Sequence, residues 1–88
     1  MKKTRPCLVV SPDVMNQHLR TVLVAPMTTV RRPYPTRVNV NFQNKRGQIA
    51  LDQIRAVDRS RMIKKLGAVT DEEGQSASGV LVEIFQRP

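Results

Sequence analysis

Apolar residues fall in short clusters along this chain, most of them too short for a helix. Cys7-Leu8-Val9-Val10 and Val22-Leu23-Val24-Ala25 are continuous runs of strand length. Ser11-Pro12-Asp13 stops the first and Pro26 stops the second. Buried strands are therefore predicted over 6–11 and 21–26. Residues 36–42 alternate instead, with Val38, Val40 and Phe42 on one face and Asn39 and Asn41 on the other. That predicts an antiparallel strand covered on one side only. Residues 14–20 read as a polar connection with a helical turn. Residues 28–35, with two prolines and the pair Arg31-Arg32, read as a loop. Gln43 to Gly47 reads as a turn, 48–52 and 54–57 as further strand segments, 58–63 as a short helical turn, and 64–69 as a return to the sheet.

The last segment switches to helical spacing. Thr70 with Glu73 three residues on is a capping box, and Asp71, Glu72 and Glu73 put negative charge at the positive end of the helix dipole. Ala77, Val80, Leu81, Ile84 and Phe85 then form one apolar stripe. Gly74 and Gly79 weaken the helix by about 1 kcal/mol each relative to alanine, so packing must hold it. The predicted fold class is mainly β (α+β), a small curled antiparallel sheet with a C-terminal helix, in a single domain over 1–88.

Composition narrows the possibilities. With 88 residues and 40% apolar content, the core is small, and pairing with a second copy is the natural way to bury more surface. A single cysteine excludes an internal disulfide. Cys7 and His18 are solitary, so neither a metal site nor a cofactor is expected; Cys7 reads as a small buried hydrophobe and His18 as an exposed bystander. No secretory signal or bilayer-length apolar stretch is visible, so a soluble, cytoplasmic protein with no membrane partner is expected.

The formal charge of +8 and a pI of about 10.9 point to an acidic partner. The cations are dispersed as Lys2-Lys3, Arg31-Arg32, Lys45-Arg46, Arg59, Arg61 and Lys64-Lys65, which predicts a folded basic face rather than a basic tail. Tyr34, Phe42 and Phe85 are the only aromatics. A base-stacking platform is therefore excluded, and any RNA contact must rest on phosphates and hydrogen bonds.

Lys3-Thr4-Arg5-Pro6 before the first strand, Ser11-Pro12 after it, then Pro26-Met27-Thr28-Thr29 and Leu51-Asp52-Gln53-Ile54-Arg55 together resemble the MazF/PemK family of toxin endoribonucleases. The resemblance runs from Lys3 to about Phe85. It implies an SH3-like barrel with a C-terminal helix, CcdB/PemK-like, dimeric through its sheet and helix surfaces. It also implies a type II toxin neutralised by an acidic, partly disordered antitoxin. The implied reaction is metal-independent cleavage of single-stranded RNA. The 2′-hydroxyl attacks the adjacent phosphorus, leaving a 2′,3′-cyclic phosphate and a 5′-hydroxyl. The family has a strand and a long loop before the Arg-Pro motif, so an N-terminally shortened domain is expected here. A non-enzymatic, CcdB-like gyrase-poisoning toxin and an inactive family member that only binds nucleic acid are the alternatives.

On this resemblance the candidate catalytic residues are Arg5, Thr28 and Asp52. Arg5 offers a permanently charged, bidentate donor for phosphate oxygens, and Pro6 fixes the chain beside it. Thr28 supplies a hydroxyl at a strand end, although such hydroxyls also serve local backbone groups. Asp52 is expected to orient the arginine, to accept the 2′-proton, or to form a structural salt bridge. Ala50 stands where some relatives have an arginine. Lys3, Thr29, Arg31, Arg32, Arg37 and Gln53 are the candidate RNA-binding residues, and Tyr34 is expected to shape the channel.

Overall fold

The computed structural model describes residues 5–86. The elements in chain order are β1 (Cys7–Val9), α1 (Asp13–His18), β2 (Thr21–Thr28), β3 (Arg37–Phe42), β4 (Lys45–Ala50), a 3-10 turn (Leu51–Gln53), β5 (Arg55–Asp58), a second 3-10 turn (Arg59–Arg61) and α2 (Asp71–Phe85). All strand pairs are antiparallel, in the order β1-β2-β4-β3, with β5 also on β2.

β2 is the longest strand and organises the sheet. Val24 lies opposite Val9 of β1 on one side and Arg55 of β5 on the other. β4 and β5 follow each other along the same edge of β2, with Met27 facing Ile49 and Val24 facing Arg55. The 3-10 turn Leu51–Gln53 supplies the extra residues between these two ladders. This break curls the sheet. Helix α2 closes it, placing Ala77 in a core with Ala25, Val38, Val40, Ile49 and Leu51. Ile49 and Leu51 are fully buried, each contributing about 1.5–3 kcal/mol of hydrophobic stabilisation. The result is a mainly antiparallel β half-barrel with a C-terminal helix, as the sequence predicts.

The helix begins where its capping box says it should. Thr70 Oγ1 accepts from the Glu73 N–H at 3.1 Å, and Glu73 Oε1 accepts from the Thr70 N–H at 2.9 Å. The other oxygen of Glu73 accepts from the Asn41 N–H of β3 at 3.1 Å. The cap thus also ties the helix to the sheet. These backbone donors hold the Glu73 carboxyl below the usual carboxylate range.

Several boundaries differ from the sequence prediction for local reasons. The turn expected over 43–47 is only Gln43-Asn44, both with positive φ (51° and 63°), the twist a two-residue hairpin needs. Lys45 to Gly47 are already in β4. Gly47 sits there because a Cβ would lie 2.5 Å from the Thr28 carbonyl oxygen, so β2 and β4 could not approach as closely. β2 runs on through Pro26 to Thr28, because Met27 and Thr28 still find partners in β4. The strand expected over 48–52 ends at Ala50. Residues 62–70 do not return to the sheet. Gly67 turns the chain there with φ of 144°, within van der Waals reach of the Phe42 ring.

Candidate functional site

The first ladder decides how Arg5 and Thr28 relate. Cys7 faces Pro26, and the Met27 N–H donates to the Pro6 carbonyl at 3.1 Å. Continued one step beyond Pro6 and Met27, this register would bring Arg5 opposite Thr28. Directly opposed positions in an antiparallel pair share a face and stand about 4.5–5.5 Å apart at Cβ. The row continues across the sheet, since Thr28 faces Gln48 of β4 and Gln48 faces Asn39 of β3. Arg46 and Asn41 form the next pair outward on that same face. Arg5 is exposed and Thr28 half-buried, so the row opens to solvent at its β1 end.

The Thr28 hydroxyl has a local duty. Its oxygen accepts from the Val30 N–H at 3.1 Å, which turns the chain out of β2 into the loop 29–36. Among the described residues the hydroxyl hydrogen has no acceptor. The loop carries Thr29, Arg31 and Arg32 on its exposed surface.

Arg37 lies one pair along that same face, opposite Ala50, and pairs with Asp52. Asp52 follows β4 in the 3-10 turn, four positions beyond Gln48, while Arg37 opens β3. The Arg37 Nε donates to Asp52 Oδ1 at 2.8 Å and an Nη to Oδ2 at 3.4 Å, and the Thr36 hydroxyl donates to Oδ1 at 3.1 Å. The Arg37 side chain is only 7% exposed, and its guanidinium lies 5.3 Å from the Tyr34 ring centroid. The hydrogen bond from Arg37 is the main cause that holds the Asp52 carboxyl below the usual range. Of the alternatives open in the sequence, the geometry of Asp52 is that of a salt bridge joining the bases of β3 and β4. Arg37, expected to track phosphate, has its guanidinium turned inward to this pair.

Among the remaining expected residues, Gln53 is exposed on the 3-10 turn beside Asp52, and Lys3 lies outside the described residues. Cys7 is half-buried, and His18 is exposed. Two shallow surface depressions, one bounded by Gln17–Arg20 and Asp58–Ser60 and the other by Val69–Asp71, Gly74, Gln75 and Ser78, contain none of the candidate residues. Among the described residues no three of His, Cys, Asp and Glu lie together as metal ligands would. No described helix is long and apolar enough to cross a membrane.

Sequence reasoning missed Gln48. It is buried, at 7% exposure, although alternation in β4 puts it on the face away from Ile49. Loop 29–36 covers that face. The available signal was a lone amide inside Gly47-Gln48-Ile49-Ala50-Leu51, since a buried polar side chain in such a run must find partners.

A family model described as PemK-like, MazF-like toxin of type II toxin-antitoxin system matches residues 1–85. This chain belongs to that toxin family. The Endoribonuclease toxin MazF of Escherichia coli (strain K12) is 35% identical over 72 residues, 81% of this chain. The aligned part spans 65% of that protein. A solved endoribonuclease in complex with its cognate antitoxin, from mycobacterial species, superposes with a TM-score of 0.86 at 27% identity, covering 96% of this chain and 82% of that one. A MazE-MazF structure from Deinococcus radiodurans gives 0.82 at 26% identity, with coverage of 94% and 83%. The family resemblance read from Arg5-Pro6, Pro26–Thr29 and Leu51–Arg55 is thus borne out.

Proposed function

We propose that this PemK/MazF-family chain is the endoribonuclease toxin of a type II toxin–antitoxin pair, acting in the cytoplasm on single-stranded RNA without a metal or cofactor. The observation that carries this reading is the polar row Thr28, Gln48 and Asn39 at the end of β2, beside which the exposed Arg5 enters β1. Membership of a family that includes a relative named as an endoribonuclease toxin supports it.

In the proposed reaction the 2′-oxygen attacks the adjacent phosphorus and the bond to the 5′-oxygen breaks. The 2′-hydroxyl loses a proton and the leaving oxygen gains one. The products are a 2′,3′-cyclic phosphate and a 5′-hydroxyl. The phosphoryl oxygens gain charge on the way, and preorganised donors are worth most there. Arg5 supplies a fixed positive charge with paired N–H donors and can donate toward the leaving oxygen. Thr28 donates its free hydroxyl proton to a phosphoryl oxygen. Arg31, Arg32 and Thr29, with Lys3 and Gln53 at the margins, bind the flanking phosphodiester backbone. Asp52 contributes through Arg37, as a brace for β3 and the loop that precedes it. Its lowered pKa makes it a weak acceptor for the 2′-proton.

The partner in this reading is an acidic antitoxin segment that covers the same basic face, and the active form is a homodimer. The similar mycobacterial endoribonuclease was solved in complex with its cognate antitoxin, which supports a protein partner of this kind. The test is cleavage of a long single-stranded RNA in the presence of a chelator, with the new ends mapped. Cutting to cyclic-phosphate ends, lowered roughly 10²–10³-fold in Arg5→Ala and in Thr28→Ala, is the expected result. Both variants cutting at the wild-type rate, or metal-dependent cutting, would reject this mechanism.

A further inference from the structure

We infer that Gln48 is a positioning residue for RNA binding. Its buried amide clamps the Arg32 peptide and so holds the arginine-bearing loop against the Thr28 row. This inference rests on the reading of that row as the RNA site.

The clamp is complete in hydrogen-bond terms. Gln48 Oε1 accepts from the Arg32 N–H at 2.9 Å, and Nε2 donates to the Arg32 carbonyl at 3.1 Å. Nε2 also donates to Asn39 Oδ1 at 3.2 Å. A side-chain amide has two donors and one acceptor oxygen, and all are engaged. Gripping both the N–H and the carbonyl of one residue fixes where that backbone lies and which way it faces. One contact alone would leave rotation free.

The loop has little else to hold it there. Residues 29–35 are exposed, and Pro33 and Pro35 have no N–H to donate. The Val30 N–H bonds Thr28 at the start of the loop, and the Arg37 N–H bonds the Tyr34 carbonyl at its end. Between Val30 and Tyr34, the hydrogen bonds among the described residues are those to Gln48. Gln48 also faces Thr28 directly in the sheet register. One residue is therefore tied to Thr28 through the backbone ladder and to the arginine loop through its side chain.

Strand stability alone does not call for an amide here. A β-branched apolar residue would suit β4 between Gly47 and Ile49, whereas a buried amide is costly unless every group is paired. The consequence of this pairing is a set position for Arg31 and Arg32. Phosphate contacts away from the scissile bond act equally on bound substrate and transition state. Their loss raises KM and leaves kcat in place.

Gln48→Met keeps the bulk and removes all three hydrogen bonds, while Gln48→Glu keeps an acceptor and removes both donors. Each is compared with wild type in four readouts: folding by circular dichroism, exchange of the Arg32 amide proton, affinity for a 2′-O-methyl single-stranded RNA, and steady-state cleavage. The expected result for Gln48→Met is a folded protein with faster Arg32 exchange. Its Kd and KM should rise about tenfold, with kcat within about twofold. A double variant, Arg31→Ala with Arg32→Ala, should weaken binding similarly, and adding Gln48→Met to it should change little more. Unchanged Arg32 exchange, unchanged Kd, strict additivity with the arginine variants, or a fall in kcat at constant KM would each overturn the role of Gln48. If either substitution unfolds the protein, the other supplies the comparison. If both do, Gln48 is a folding residue and the inference fails. A wild-type protein that neither binds nor cuts RNA would overturn the proposed function itself. Tight RNA binding that Gln48→Met leaves untouched would overturn this inference alone.

Discussion

Two corners of the sheet each bring an arginine beside an oxygen-bearing side chain, and they differ in what those groups are free to do. At the β1–β2 end, Arg5 is exposed just before β1, near the end of β2 where the Thr28 hydroxyl proton has no acceptor among the described residues. At the β3–β4 base, the Arg37 side chain is 7% exposed, paired with Asp52 and placed beside the Tyr34 ring. The first arrangement has donors waiting for an anion. The second has already satisfied its charge internally. Residue type did not distinguish them; burial and partner geometry did.

The comparison breaks most sharply under truncation at the open corner. Arg5→Ala and Thr28→Ala should each lower RNA cleavage by roughly 10²–10³-fold, the scale of losing one transition-state donor. The melting temperature of Arg5→Ala should stay near wild type, because Arg5 is exposed, and Thr28→Ala should lose only about 1 kcal/mol with the hydrogen bond from the Val30 N–H. Equal losses of activity and stability would place Arg5 with the structural arginines. Between the corners, Gly47→Ala should destabilise by about 1–3 kcal/mol in a denaturant titration. The added Cβ meets the Thr28 backbone oxygen at 2.5 Å, which a flexible side chain cannot relieve. A neutral effect would mean that β2 and β4 separate more easily than the fold implies.

At the closed corner, Asp52→Ala should cost about 1–2 kcal/mol. That is less than the roughly 3–5 of a fully buried pair, because the Asp52 side chain is 32% exposed. Its effect on cleavage should follow the loss of folded protein. A loss of rate in fully folded Asp52→Ala would give this carboxylate a direct part in the chemistry.

The smallest effect is electrostatic. The carboxyls of Asp52, Asp58 and Glu73 all lie below their usual range, held there first by hydrogen bonds from Arg37, from Ser60 and from Thr70 respectively. Their folded pKa values are lower than their unfolded ones, so the unfolded chain binds more protons between the two. The resulting stability is complete above the ordinary carboxylate pKa of about 4 and is lost as pH falls through the lower folded values. Stability measured from pH 6 downward should fall below about pH 4.5, and Glu73→Gln should flatten that slope slightly. A slope unchanged in Glu73→Gln would remove the helix cap from this account.

Some of this was legible before any geometry. Residues 70–73 specify the start of α2 through local chemistry, and the alternation of Val38, Asn39, Val40 and Asn41 specifies β3 through its period. Arg5 and Thr28 were legible as candidates through the family motifs. Gln48 was not, because a strand segment at 48–52 does not reveal which loop covers its second face. The covering loop is built from residues 29–36, and their path depends on a turn and two prolines rather than on any period. The length of β2 and the position of the hairpin turn were misjudged for a related reason, since both follow from which strand lies alongside.

The amino-acid order alone determined the strand-rich class, the capped C-terminal helix, the basic surface and the family, because each follows from neighbouring residues or from motifs read along the chain. Only the tertiary structure decided which arginine faces solvent and which is paired, and that a glutamine is buried beneath a loop. Those outcomes arise from contacts between residues distant in sequence. Register and burial set them, and no local pattern encodes either one.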